Sequence, residues 1–365
     1  MGFDYSRRLE RAKTLAADST LDAMLVAPGP DLLYLAGYDP PPLERLTALV
    51  VRPGSDPVLV VPVLERPRAL TSPVAGNLDI VAWRDGEDPY GAVGRLLGGG
   101  GRIGVSDRLW ASHLIGLQSA ATGAEFVPAS SALSGLRARK EPGEIDLLGR
   151  AARAADEAFD RITRAAFERR AERDVADSLA ELLREAGHES VSFTIVATGP
   201  NGASPHHEPG ERVIRTGDPV VMDFGGRVRG YCSDITRTVA VGPPPSELRD
   251  VYDIVREAQE AAFRAVEPGI PAEEVDRAAR AVIESGGYGD AFIHRTGHGI
   301  GLEEHEDPYI VTGNRTELTV GHCFSLEPGI YLDGRFGVRI EDIVAITDDG
   351  VVRLNQARHE LVEVR

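Results

Sequence analysis

The sequence predicts two domains of different class: an α/β domain over residues 1–135 and an α+β domain over residues 136–365 made of two similar halves. Three observations predict this. The chain has 365 residues, against roughly 150 for a common domain. Its first third alternates helical and strand-like segments, as an α/β sheet does. The remainder runs helices, ribbon, helices, ribbon, and that repeated order suggests two halves facing each other.

Composition narrows the function classes. Hydrophobic residues make up 42% and charged residues 27% of the chain, which is ordinary for a globular protein with a sizeable core. Forty Lys and Arg face 57 Asp and Glu, a formal net charge of −17. Such a chain repels phosphate, so nucleic acid and anionic membranes are not expected partners. Only two cysteines occur, Cys232 and Cys323, so disulfides do not organise the fold and a reducing cytoplasm is expected. The polar start "MGFDYSRRLERAKTLAADST" lacks the apolar stretch of a secretion signal. No run of about 18 apolar residues suggests a membrane span.

In the first domain, "RRLERAKTLAA" has helical spacing and "LDAMLVAPG" is a short apolar strand ended by Pro and Gly. "LTALVVRPGSDPVLVVPVLE" reads as two strands joined by the turn "RPGSDP", and "GRIGVSD" as another strand. Gly99, Gly101 and Gly104 match the spacing of a dinucleotide-binding loop. That loop needs a strand before it and a helix after it. Here helical "DPYGAVGRLL" precedes and strand "RIGVS" follows, so a plain turn is expected.

In the second domain, Pro142 opens a long amphipathic helix with Ile145, Leu148, Ala152, Ala155, Phe159 and Ile162 on one face. A second helix, "ERDVADSLAELLREAG", ends at Gly187. "SVSFTIVATG" and the ribbon "VVMDFGGRVRGYCSDITRT" follow. Two further helices, "PSELRDVYDIVREAQEAAFRAV" and "PAEEVDRAARAVIESGG", precede the last ribbon, "HCFSLEPGIYLDGRFGVRIEDIVAIT".

The ribbons carry paired acids. Opposed residues of a hairpin have a constant index sum. Asp223 and Asp234 sum to 457, centring a turn between Val228 and Arg229. Glu327 and Glu341 sum to 668, centring a turn on Gly334. Without a bulge, each pair is directly opposed and on one face. Two ionised carboxylates so placed repel, and a cation relieves the repulsion. An acid pair on a ribbon is more often solvated. But Asp223 and Glu327 lie in the apolar segments "VVMDF" and "CFSLEP", where an unpaired charge is costly.

Five of the nine histidines fall in loops rich in Gly or Pro: His206 and His207 in "NGASPHHEPGER", and His294, His298 and His305 in "IHRTGHGIGLEEHE". Gly297 and Gly299 flank His298, letting backbone approach closely. His113, His188, His322 and His359 lack such a setting and are expected to be structural or on the surface. One imidazole with four carboxylates suits two borderline divalent ions, Mn²⁺, Co²⁺, Fe²⁺ or Zn²⁺. Two-metal carboxylate sites ionise a water and polarise a carbonyl.

The segments "NGASPHHEPG", "MDFGGRVRGYCSDITRT", "HRTGHGIGLEEHEDP", "SLEPGIY" and "GVRIEDIVAIT" together resemble the pita-bread metallopeptidase family, which includes methionine aminopeptidase, aminopeptidase P and Xaa-Pro dipeptidase (prolidase). The likeness spans roughly residues 140–365, with all five segments in the family's order. "LDAMLVAPGPDLLYLAGY" looks like the creatinase/prolidase-type N-terminal domain. The resemblance implies a pita-bread catalytic domain holding two divalent metal ions, Mn²⁺ first among them. It implies Asp223 as a ligand of one metal, Asp234 and Glu341 as bridging ligands, and His298 and Glu327 as ligands of the other. It implies Glu327 as proton shuttle beside a metal-bridging hydroxide, and His206 and His305 as groups stabilising the intermediate. His294 and Arg339 are then expected at the substrate, with Tyr231 lining the site. Cys232 is expected to be a small buried residue.

The implied activity is hydrolysis of Xaa-Pro bonds in dipeptides by a cytoplasmic homodimer. The prolyl bond lacks an N–H and has a fixed φ, so ordinary peptidases handle it poorly. Aminopeptidase P, acting on longer peptides, is the alternative. A non-catalytic binding protein on the same fold, or a metal-free hydrolase like creatinase, would lack ligands that this sequence retains. The loop "AGYDPPPLERL" is where a neighbouring subunit would cap the cleft.

Overall fold

The computed structural model describes residues 2–365 and divides into two compact units, one ending at Arg137 and the other running from Ala138 to Arg365. In the first unit, α1 (Tyr5–Asp18) leads to β1 (Ala23–Val26), α2 (Pro30–Ala36), β2 (Ala48–Val51), β3 (Val58–Pro62) and α3 (Arg66–Ala69). Then come β4 (Asp79–Trp83), α4 (Pro89–Leu96), β5 (Gly100–Val105), α5 (Ala111–Ala120), β6 (Gly123–Pro128) and α6 (Ser130–Arg137). Asp4 caps α1 by accepting from the Arg7 amide at 3.0 Å. The strands form one mixed sheet in the order β4-β3-β2-β1-β5-β6. β1 lies inside it with all four residues buried, which is why it reads as an unbroken apolar run. Gly98 and Gly99 take positive φ between α4 and β5, so the glycine cluster is a turn, as its order predicted.

The second unit begins with α7 (Pro142–Ile162) and α8 (Glu172–Glu185). β7 (Ser190–Thr198), β8 (Pro219–Val228), β9 (Tyr231–Cys232) and β10 (Ile235–Val241) follow. The second half repeats this with α9 (Ser246–Ala265), α10 (Ala272–Ser285), β11 (Gly297–Gly299), β12 (Glu306–Ile310) and β13 (Cys323–Leu326). It closes with β14 (Gly329–Leu332), β15 (Phe336–Arg339), β16 (Asp342–Thr347), β17 (Gly350–Arg353) and β18 (Val362–Val364). One sheet is ordered β18-β10-β8-β7 with β9 on β8, the other β12-β11-β13-β16-β17. α7 and α8 bury Phe159 and Leu179 against Met222 and Phe224 of the first sheet. α9 and α10 bury Tyr252 and Val275 against Phe324 and Val344 of the second.

A repeat also exists at residue level. Residues 171–188 and 271–288 correspond at a fixed offset. Ala171 and Pro271 each bridge to a later strand-like residue, Val213 and Glu317. Each helix ends on a left-handed glycine, Gly187 at φ 113° and Gly287 at φ 84°. In both, the next amide reaches back to a carbonyl of the last turn: His188 to Leu183 and Tyr288 to Ile283.

Candidate metal centre

The first ribbon turns at Arg229 and Gly230, with φ of 52° and 84°, the two left-handed central residues of a type I′ turn. This corrects the register expected from the sequence. Arg227 pairs with Cys232 and Asp223 with Thr236, so the index sum is 459, not 457. Asp223 and Asp234 are therefore diagonal neighbours on one face rather than directly opposed. The second ribbon keeps its expected sum of 668 in both ladders that flank the acids, Gly329 with Arg339 and Leu326 with Asp342. Glu341 then joins the ribbons, its amide donating to the Thr236 carbonyl at 3.0 Å.

These placements bring oxygens of Asp223, Asp234 and Glu341 within 4.8 Å of one another, and likewise donor atoms of His298, Glu327 and Glu341. Asp234, His298 and His305 make a third such group. His298 is locked from both sides. A Cβ on Gly297 would lie 1.9 Å from the Ser325 carbonyl oxygen, and one on Gly299 2.2 Å from that of Asp307. The His298 amide donates to Ser325 Oγ at 3.0 Å, and its Nδ1 lies 3.1 Å from the Gly299 carbonyl. A carbonyl only accepts, so Nδ1 carries the proton and Nε2 offers a lone pair. That Nε2 lies 3.3 Å from Glu327 Oε1 and 3.7 Å from Asp234 Oδ2, free to give a proton to the acids or its lone pair to a metal.

Arg339 is buried behind the acids. It donates to Asp223 Oδ2 at 2.5 Å, Thr236 Oγ1 at 3.0 Å and Tyr331 Oη at 2.8 Å. Thr236 Oγ1 in turn donates to Glu341 Oε2 at 2.7 Å. Asp223 Oδ1 is buried with no hydrogen-bond partner among the described residues. Burial, then the neighbouring acids, push Asp234 and Glu341 well above the ordinary carboxylate range. Burial works against ionising Glu327 too, but a proton on the facing His298 Nε2 when no metal takes that nitrogen, then His294 and Arg339, hold it down to about 2. His305 is exposed as a residue, yet partial desolvation of its ring, then His298 and Arg295, push it down to about 4. Two buried acids, two half-buried ones, an orphaned oxygen and an imidazole nitrogen aimed at them are the donor set that divalent ions require. The residues present fit a two-metal centre.

The cluster sits in a cavity of about 670 Å³ lined by Asp223, Asp234, His298, Glu327, Arg339 and Glu341 together with His206, His294 and His305. His294 bonds Tyr331 Oη through Nε2 at 2.8 Å and the Arg295 carbonyl through Nδ1 at 2.7 Å. His305 packs edge-on to His298, ring centres 4.1 Å apart. His207 turns away to Glu172 at 2.9 Å. Tyr231 does not join them. It lies off the cavity lining with its hydroxyl on Glu144 at 2.7 Å, because it stands three residues from Asp234 and so on the opposite face of the ribbon, toward α7. Cys232 is buried and its thiol is unpaired. His188 and His322 are also buried. Sequence reasoning missed Thr236, Ser325 and Tyr331, whose hydroxyls carry no spacing signal of their own, and the apolar wall of Phe193, Ile195 and Ile293.

Known proteins resemble this chain over nearly its whole length. The model of metallopeptidase family M24 matches residues 146–348, and that of the creatinase/prolidase N-terminal domain residues 8–139. The chain belongs to metallopeptidase family M24. It is therefore a metal-dependent peptidase with the pita-bread catalytic domain. The chain is 46% identical to the probable dipeptidase PepE of Mycobacterium tuberculosis, covering 99% of this chain and 96% of that protein. It is 38% identical to the Xaa-Pro dipeptidase of Lactobacillus helveticus, over 94% of this chain and 95% of that one. The crystal structure of prolidase from Thermococcus sibiricus superposes with a TM-score of 0.94 at 40% identity, covering 100% of both chains. Among the described residues no helix is long and apolar enough to cross a membrane.

Proposed function

We propose that this M24 peptidase hydrolyses the Xaa-Pro bond of dipeptides. The observation that carries the reading is the convergence, in one cavity, of five metal-ligand candidates with three further histidines. Relatives bearing the names Xaa-Pro dipeptidase and prolidase over nearly their whole length support it. Asp223, Asp234, His298, Glu327 and Glu341 would hold two divalent ions. Bound there, such ions acidify a water and polarise a carbonyl. Glu327 accepts the proton of the attacking water and returns it to the prolyl nitrogen as the bond breaks. His206 and His305 donate hydrogen bonds to the oxygen that becomes negative. Held neutral, as partial desolvation favours for His305, an imidazole still has one N–H to give. Arg339 orients Asp223, and His294 walls the substrate side.

Removal of the first residue from longer peptides is the second reading. The cavity, about 670 Å³, lies mid-range for small-molecule sites and leaves room for a third residue. Parallel assays of Ala-Pro and Ala-Pro-Ala with Mn²⁺ and chelator controls test both. Cleavage of Ala-Pro alone is the expected result. Cleavage of both moves the reading to aminopeptidase P, and metal-dependent cleavage of neither ends the proline assignment. Manganese as the working metal, a homodimer and a cytoplasmic setting belong to the same reading. The oxygen-rich donor set and two unpaired cysteines favour the first and last, and metal analysis and sedimentation check the first two.

A further inference from the structure

Glu172, the first residue of α8, is fully buried yet takes no part in the cavity lining. Its Oε1 accepts from the Thr198 amide at 2.8 Å, Thr198 Oγ1 at 2.9 Å and Asn201 Nδ2 at 3.0 Å. Its Oε2 accepts from His207 Nε2 at 2.9 Å, Asn201 Nδ2 at 3.1 Å and the Gly210 amide at 3.3 Å. All these donors lie between residues 198 and 210, at the start, middle and end of one loop. Ser204, Pro205 and His206 of that loop line the cavity. From residue 204 to 210 the chain has no regular secondary structure, and besides the turn bonds from the Ser204 amide to Asn201 and from the His207 amide to Ser204 and the tie of the Arg173 amide to Gly210, the Glu172 contacts are what hold His206 in place.

We propose that Glu172 is a positioning residue for the reaction: by gripping the 198–210 loop at four residues from behind, it fixes His206 over the cavity. This rests on the reading of His206 given under Proposed function. A buried carboxylate is costly unless its oxygens are satisfied, and here loop donors satisfy them, so loop and charge are folded as one piece. The neighbouring His207 faces Glu172 while His206 faces the cavity, and one tie therefore sets the direction of the other ring. The second half uses the same device. Asp276 of α10 accepts from the Thr296 amide at 3.1 Å and Thr296 Oγ1 at 2.7 Å on a single oxygen, two residues before His298. In each half a buried acid on the second helix grips the threonine of a Thr-Gly step from which the chain enters the site.

The test is a double-mutant cycle on the metal-loaded full chain. Glu172→Gln keeps the size but sets an amide group against the loop donors. Alone it should lower kcat on Ala-Pro about tenfold to a hundredfold with a smaller change in KM. In a His206→Ala background it should lower kcat less than about twofold further, because the residue it acts through is gone. Amide hydrogen exchange over 198–210 should quicken whatever the substrate. Losses that multiply across the cycle, or unchanged exchange in that loop, overturn the proposal. Should His206→Ala leave kcat unaltered, the reading of His206 falls first, and the proposal with it. If Glu172→Gln does not fold, His207→Ala breaks one tie at a half-buried position, and the same non-additivity with His206→Ala is required of it.

Discussion

Arg339 shows how much of the centre depends on residues that would never touch a metal. Its guanidinium holds Asp223, Thr236 and Tyr331 at once, and Thr236 passes the constraint to Glu341. A lysine cannot reproduce that fork. Arg339→Lys should therefore weaken metal affinity about 10–100-fold while the protein stays folded, measurable by titration calorimetry. Unchanged affinity would remove Arg339 from the support of the centre. Asp234 is tested more directly. Asp234→Asn should lose metal, and activity should fall by about a thousandfold or more, since metal electrostatics supply several kcal/mol. Metal content and circular dichroism read the two effects apart. At this scale the acids were legible because a charge in an apolar strand stands out. Thr236, Ser325 and Tyr331 were not, because a hydroxyl fits a strand whether or not it has a task.

Among the elements, the two ribbons were legible to different degrees. For the second, the Asp-Gly at its tip fixed the centre on Gly334, and the register followed. For the first, Arg229 takes a left-handed φ that its side chain does not advertise, and the centre moved by one residue. β4 and β6 escaped notice because they are sheet edges with alternating, half-exposed residues. β11 is too short for any periodicity. It is fixed instead by its glycines. Gly297→Ala would force a Cβ to 1.9 Å from the Ser325 carbonyl, and overpacking of this kind costs about 1–3 kcal/mol. A lowered unfolding temperature with weakened metal binding is expected, and binding kept at full strength would mean β11 yields without moving His298. α10 offers a pH test. Burial alone would raise Asp276, but Arg280, Thr296 and Thr312 donate to it and hold it below the ordinary carboxylate range. A depressed acid contributes stability that is present above its unfolded pKa, about 3.9, and is lost as pH falls through the folded value. Asp276→Asn should thus cost about 1–3 kcal/mol at pH 7, with the deficit shrinking below about pH 4. Urea unfolding of both proteins across that range checks it, and a deficit independent of pH would deny the acid its charge.

In the molecule as a whole, two sheets meet their acids at one place, and the formal charge of −17 adds to the repulsion there. Without metal, burial and mutual repulsion raise Asp234 and Glu341. A raised acid favours the folded state below its unfolded pKa, about 3.9–4.3, and that favour is lost as pH rises through the folded value. Metal-stripped protein should therefore lose stability as pH rises from about 4, whereas metal-loaded protein should not. Saturating metal at about a hundred times its Kd adds about 2.7 kcal/mol, a rise in unfolding temperature of roughly 5–10 °C. That rise should grow with pH. The same titration implies that binding expels protons. Calorimetry in two buffers of different ionisation heat would count them near neutral pH. A binding heat that follows the buffer means the carboxyl groups were held protonated and the repulsion was relieved by proton until metal arrived. A heat indifferent to buffer means that they stay ionised when stripped, and that Arg339 and the two histidines alone suffice to hold four acids together.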